Sequence, residues 1–250
     1  MRTFLIRGML AGLCAALVAF GFARITGEPA VDHAIAFEEE HAAAPVDGEE
    51  PEHEAVSRTV QSTVGLAAGL ATTGVALGGL FSIAFAFAYG RLGRLASFGP
   101  RGTALLVAGL GFVAVYLTPF LKYAPNPPAT GAPATINQRT ALYFTIMFVS
   151  VVAMVLAVNV AKRLVPRFGA WNATLLAAFG YVAVIVFCIV ALPVIDEVPG
   201  GFPPSVLWQF RLSSLGIQFV LYTTIALVFG ALTERAATKV AAERVPATVA

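Results

Sequence analysis

Six long, predominantly apolar runs, at 4–23, 60–89, 103–121, 140–160, 171–192 and 206–232, constrain this chain more than any other feature. A helix needs about 20 apolar residues to cross ~30 Å of hydrocarbon. Inside lipid the backbone must satisfy its own hydrogen bonds, so only helices and closed barrels span it. Runs of 19 to 30 residues without a period-two alternation specify helices. The expected fold is therefore all-α, a polytopic transmembrane helix bundle of about six spans with an acidic, His-containing outer loop. Composition agrees: with 58% of residues apolar, 12% charged and a mean hydropathy of +0.81, too little polar material exists to coat a soluble globule. A net charge of +2 with no basic groove excludes nucleic acid as a partner. Cys14 and Cys188 sit inside apolar runs without CxxC spacing and read as packing residues. The first run follows Arg2 and Arg7 as a secretory leader would. It is longer than the usual leader core and no A-x-A site closes it, so a retained helix is expected.

Basic residues give an orientation. Eleven of the 16 Lys and Arg fall at one side of the six runs, among them Arg91, Arg94, Arg101, Lys162, Arg163 and Arg167. By the positive-inside rule that side is cytoplasmic, so both termini are expected in the cytoplasm. The chain then divides into a first helix (1–24), an acidic outer loop (25–59), a five-helix hydrophobic bundle (60–233) and a cytoplasmic tail (234–250), all within a single integral membrane domain.

Glycines recur four apart, Gly8 with Gly12, Gly65 with Gly69, and Gly74 with Gly78. Since lipid offers no hydrophobic drive for helix association, such spacing serves close backbone contact. Packing inside one subunit is the simpler reading, although the same faces would serve a homo-oligomer. No internal repeat aligns.

From Ala55 to Ile195 there is no Asp, Glu or His, so a conventional proton relay has no parts there. Phosphate-loop, nucleophile-elbow and zinc-protease motifs are missing too, and nothing supplies the acid, base and nucleophile of an enzyme. Hydroxyls such as Thr118, Thr145, Ser150 and Ser213 would suit a polar path, but in membrane helices most bond their own backbone. Arg211 is the exception, a cation inside the sixth run whose unpaired burial costs at least ~2.5–3.5 kcal/mol. It requires a partner or water. Glu28, Asp196 and Glu197 are expected at the same boundary and are the candidate partners, with snorkelling to the headgroups as the competing account.

All three histidines and ten of the 14 acids lie between the first two runs, as Asp32-His33, Glu38-Glu39-Glu40-His41 and Glu49-Glu50-Pro51-Glu52-His53-Glu54. If AFEEEH is helical, Glu38 and His41 share a face. Imidazole and carboxylate together form the ligand set that Co²⁺, Ni²⁺ and Zn²⁺ accept, and a thiolate-seeking ion finds nothing here. His33, Glu38, His41, Glu50, His53 and Glu54 are the candidate ligands for a divalent metal ion, against the plain alternative of a solvated acidic linker. Because only neutral imidazole ligates, capture would weaken in acid. The Pro- and Gly-rich segments LKYAPNPPATGAPATINQR and IDEVPGGFPPS are expected to be stiff covers forming an outer vestibule with Arg211.

Three separated stretches, FEEEHAAA with EEPEHEAVSRTVQ, LTPFLKYAPNPPATGAPATINQRTALY, and DEVPGGFPPSVLWQFRLSSLGIQ, resemble the CbtA family of predicted cobalt transporter subunits, in the same order and over nearly the whole chain. The resemblance implies an inner-membrane subunit of a Co²⁺ uptake transporter supplying cobalamin synthesis, accompanied by a small single-span CbtB partner. Co²⁺ would be its cargo. It carries over to His41, Glu50, His53 and Glu54, to Asn126, Pro127, Pro128 and Arg139, and to Asp196, Glu197 and Arg211. The family is usually described with five spans, against six here. A non-transporting membrane scaffold or regulatory subunit is the alternative.

Overall fold

The computed structural model describes residues 1–41, 57–91, 99–128, 130–131 and 133–244. Among them there are helices and turns and no strand. We label the helices α1 (Arg2–Thr26), α2 (Glu28–His41), α3 (Arg58–Ala88), α4 (Gly99–Lys122), α5 (Ile136–Ala191) and α6 (Pro204–Arg244). All but α2 are long and apolar enough to cross a membrane.

The centre is built by α1, α3, α4 and α6. Gly8 and Gly12 of α1 face Gly78 and Gly74 of α3 so closely that a Cβ on Gly12 would stand 1.9 Å from the Gly74 carbonyl oxygen, and one on Gly8 2.2 Å from that of Gly78. Only hydrogen fits at this crossing, and the close approach supplies the dispersion contact that lipid cannot. Behind the seam, Ala11, Ala15 and Ala19 are fully buried with Phe85, Leu221 and Phe229. Phe4 and Phe85 meet edge-on at 5.7 Å and Phe85 and Phe229 at 4.8 Å, the favoured geometry for ring quadrupoles. This cluster fixes α1 antiparallel to α3, and at the opposite end the Ser213 hydroxyl of α6 donates to the Thr26 carbonyl at 2.5 Å.

Helix α5 has 56 residues, about 84 Å at 1.5 Å per residue, more than twice the hydrocarbon thickness. It is two helices joined at Gly169, whose φ of 75° and ψ of 165° lie where essentially only glycine is stable. Pro166, with no amide proton to donate, weakens the turn just before. The halves fold back on one another, since Ser150 of the first reaches Tyr181 of the second. Five continuous helices thus contain six segments long enough to cross a membrane. In α4, residues Phe112–Leu117 widen to a π-helix directly ahead of buried Pro119. The wider turn accommodates the ring and the missing N–H.

The connection over 25–59, whose helical state the sequence leaves open, is helical in its first half, where α2 follows α1 across Gly27. Its Ala30, Ala34 and Phe37 recur at helical spacing, the alanines buried and Phe37 set edge-on at 5.0 Å to buried Phe202 from the 194–203 turn. That apolar stripe supplies the reason for a helix among so many acids. Helix α2 therefore packs across one end of the bundle, called here the acidic end; Arg2, Arg101 and Lys162 belong to the opposite, basic end.

Candidate functional site

At the acidic end the end of α4, the proline-rich segment after it, the start of α5, the 194–198 turn and the first part of α6 enclose an open cavity of about 680 Å³. Its polar rim carries Lys122, Asn126, Arg139, Asp196, Glu197 and Arg211, and Tyr116, Phe120, Tyr143 and Phe144 form the apolar wall. Five residues singled out as a transport-pathway network, Asn126, Arg139, Asp196, Glu197 and Arg211, thus line one chamber although the sequence spreads them over 86 positions.

Local bonds hold the rim in place. Lys122 donates to the Ile189 carbonyl at 2.8 Å and Tyr123 to that of Pro193 at 2.8 Å, tying the end of α4 to the end of α5. Thr130 closes the proline-rich turn by donating to the Pro127 carbonyl at 2.7 Å. Arg139 pairs with largely buried Glu197, Nε to Oε2 3.1 Å, and Glu197 also accepts from the Thr135 hydroxyl. The Arg139 guanidinium rests against Gly131, where a Cβ would stand 3.0 Å from Nη2. Asp196 is exposed and accepts from the Val198 amide at 3.4 Å.

Arg211 departs from expectation. No carboxylate among the described residues pairs with it: Nη2 donates to the Asn126 amide oxygen at 2.8 Å and Nε to the Pro125 carbonyl at 3.4 Å. Glu197 is engaged by Arg139, and Glu28 lies outside the chamber. There Glu28 and Asp32 of α2 both bind Arg58 at the start of α3, Asp32 Oδ1 at 2.8 Å from Nη2. The physical reason is competition for two of the candidate acids, Glu197 held by Arg139 and Glu28 by Arg58, while Asp196 stays exposed against its own turn. Arg58, unremarked in the sequence, is the residue that fastens α2.

His33, Glu38 and His41 are exposed on α2. His41 Nδ1 donates to the Phe37 carbonyl at 2.9 Å and its ring stacks on Phe37 at 4.0 Å, which leaves Nε2 free to accept. No group of three His, Cys, Asp or Glu converges on a metal-sized point among the described residues. Glu50, His53 and Glu54 lie outside the described residues.

Deeper in the bundle, two of the hydroxyls named for a polar path, Thr118 and Ser150, meet a residue that sequence reading missed. The Tyr181 hydroxyl is within 2.8 Å of both Thr118 and Ser150, joining α4 to both halves of α5 in an otherwise apolar layer. Ser150 lies seven residues along α5 from Tyr143 of the chamber wall, about 10 Å at helical rise. Ser82 and Thr145 behave as expected and donate to the carbonyls of Gly79 and Ala141. Thr118 and Ser150 do not. The available signal was Tyr181 itself, a lone phenol midway along the fifth apolar run.

Long apolar helices around a charged chamber define a multi-pass membrane protein with a binding space at one end. The chain belongs to the CbtA family, whose model, described as a probable cobalt transporter subunit, matches residues 1–234. No curated protein and no solved structure matches the chain.

Proposed function

We propose that this chain is the membrane subunit of a Co²⁺ uptake system supplying cobalamin synthesis, working in the inner membrane with its termini in the cytoplasm and with a small single-span partner of the CbtB kind. Imidazole and carboxylate groups of the 28–54 segment gather the ion, with His33, Glu38, His41, Glu50, His53 and Glu54 as candidate ligands. The chamber rimmed by Asn126, Arg139, Asp196, Glu197 and Arg211 receives it, and the hydroxyls of Thr118, Ser150 and Tyr181 replace part of the lost hydration further in. These roles are binding roles, and no chemistry is asked of the chain.

The reading is supported most by the placement of a hydroxyl cluster about 10 Å inward from the chamber in a member of this family. Hydroxyl oxygens are hard donors suited to a divalent cation losing water. The test is uptake of labelled cobalt into vesicles holding the full chain, with and without the small partner. Transport that requires the chain and falls severalfold in Tyr181→Phe is expected. A scaffold would move no ion in either preparation, and that result would refute the proposal.

A further inference from the structure

The rim of the chamber carries three cations against two carboxylates. Lys122, Arg139 and Arg211 face it against Asp196 and Glu197. Glu197 is neutralised by Arg139, and Asp196 stands exposed beside its own turn. Arg211 is left half-buried with its charge balanced only by a neutral amide and a carbonyl, and Nη1 donates to nothing among the described residues. A guanidinium held in this way is costly, because removal from water weakens its hydration while no counter-charge is supplied. The same arrangement is a prepared receptor. Asn126 and Pro125 hold two of the nitrogens, so the planar fork is fixed and little rotamer freedom is lost when a second acceptor arrives. A cavity of about 680 Å³ is in the size range of small-molecule sites and far exceeds what a hydrated ion requires.

We infer that the chamber binds an oxyanion, a carboxylate or phosphate group, with Arg211 as its anchor and Lys122 as the second cation within the rim. Two sources share that chemistry. A soluble carboxylate or phosphate would enter through the open mouth, and an anionic phospholipid headgroup would lay its acyl chains along the exposed wall residues Leu121 and Phe144. The site goes beyond the cobalt reading and does not rest on it, since binding is measured without metal.

The test uses the purified full chain in nanodiscs of neutral lipid. One arm titrates inorganic phosphate and citrate by calorimetry. The other adds phosphatidylglycerol to the nanodiscs and counts retained lipid by native mass spectrometry. Saturable binding in at least one arm is expected, and the responding arm names the source. Arg211→Gln should weaken it at least tenfold. Asn126→Asp keeps the side chain that positions Arg211 but places a carboxylate on it, and should weaken binding equally in a chain that remains folded. Failure to bind in both arms, or unchanged binding in Asn126→Asp, would overturn the inference.

Discussion

The two sides of this bundle are held together by different forces. Between α1 and α3 the backbones touch through four glycines, and an aromatic cluster with α6 closes the basic end. Helix α5 meets α4 through a smaller apolar cluster, in which Val113 packs against Ala153, Tyr181 and Ile185, and through hydrogen bonds: Thr118 on Tyr181, Lys122 on the Ile189 carbonyl and, just past α4, Tyr123 on that of Pro193. Much of its surface, including Phe148, Phe179 and Phe187, faces outward. Dispersion over a glycine seam cannot be loosened in part, because one methyl group already clashes. Individual hydrogen bonds in a membrane contribute about 0.6 kcal/mol on average and up to ~1.7. The chamber lies where the hydrogen-bonded part meets the welded one.

Substitution tests this contrast most severely at the seam. Gly12→Leu drives a side chain into the Gly74 carbonyl and should cost more than the ~1–3 kcal/mol of ordinary overpacking, so that folded protein is largely lost from size-exclusion profiles. Gly69→Leu, with nothing within 4 Å, should leave the profile unchanged. If both variants behaved alike, glycine content rather than the crossing would be what matters.

Tyr181→Phe comes next. It removes two hydrogen bonds but lets Thr118 and Ser150 turn to their own helices, so a loss of about 1–2 kcal/mol is expected. Faster hydrogen exchange confined to α5 would mark the effect. A collapse as complete as that of Gly12→Leu would erase the distinction between the two regions.

Arg58→Ala should have a smaller and more local consequence, because it frees α2 while the spanning helices keep their contacts. Partly exposed ion pairs contribute roughly 0.2–1 kcal/mol. Exchange at residues 28–41 should rise, with the thermal midpoint nearly unchanged. Gly131→Ala is the mildest. Its Cβ meets only the end of the flexible Arg139 side chain, so stability should hold and any change should appear in chamber binding alone.

How far the sequence announces this follows from the same division. Apolar run length sets the spanning helices directly, and glycine spacing announces the α1–α3 contact, since both are local patterns. The reversal at Gly169 was legible as two runs separated by Pro166 and a basic cluster, although the helix reads as continuous. The chamber was visible as a set of charges at one boundary beside two proline- and glycine-rich covers. Which acid meets which cation depends on distances in space: of the three carboxylates offered to Arg211 beside the snorkelling account, Glu197 is held by Arg139, Glu28 by Arg58, and Asp196 stays exposed. The helical state of 28–41 was open in the sequence because its acids conceal the Ala30, Ala34 and Phe37 stripe.

The one-residue reversal at Gly169 also bears on how the protein is made. With no linker between them, the two halves of α5 have no slack in which one could enter the bilayer ahead of the other. Insertion of the two halves as a single hairpin is the expected outcome, and Gly169→Ala, which removes the residue type that tolerates this backbone, should lower the yield of inserted protein.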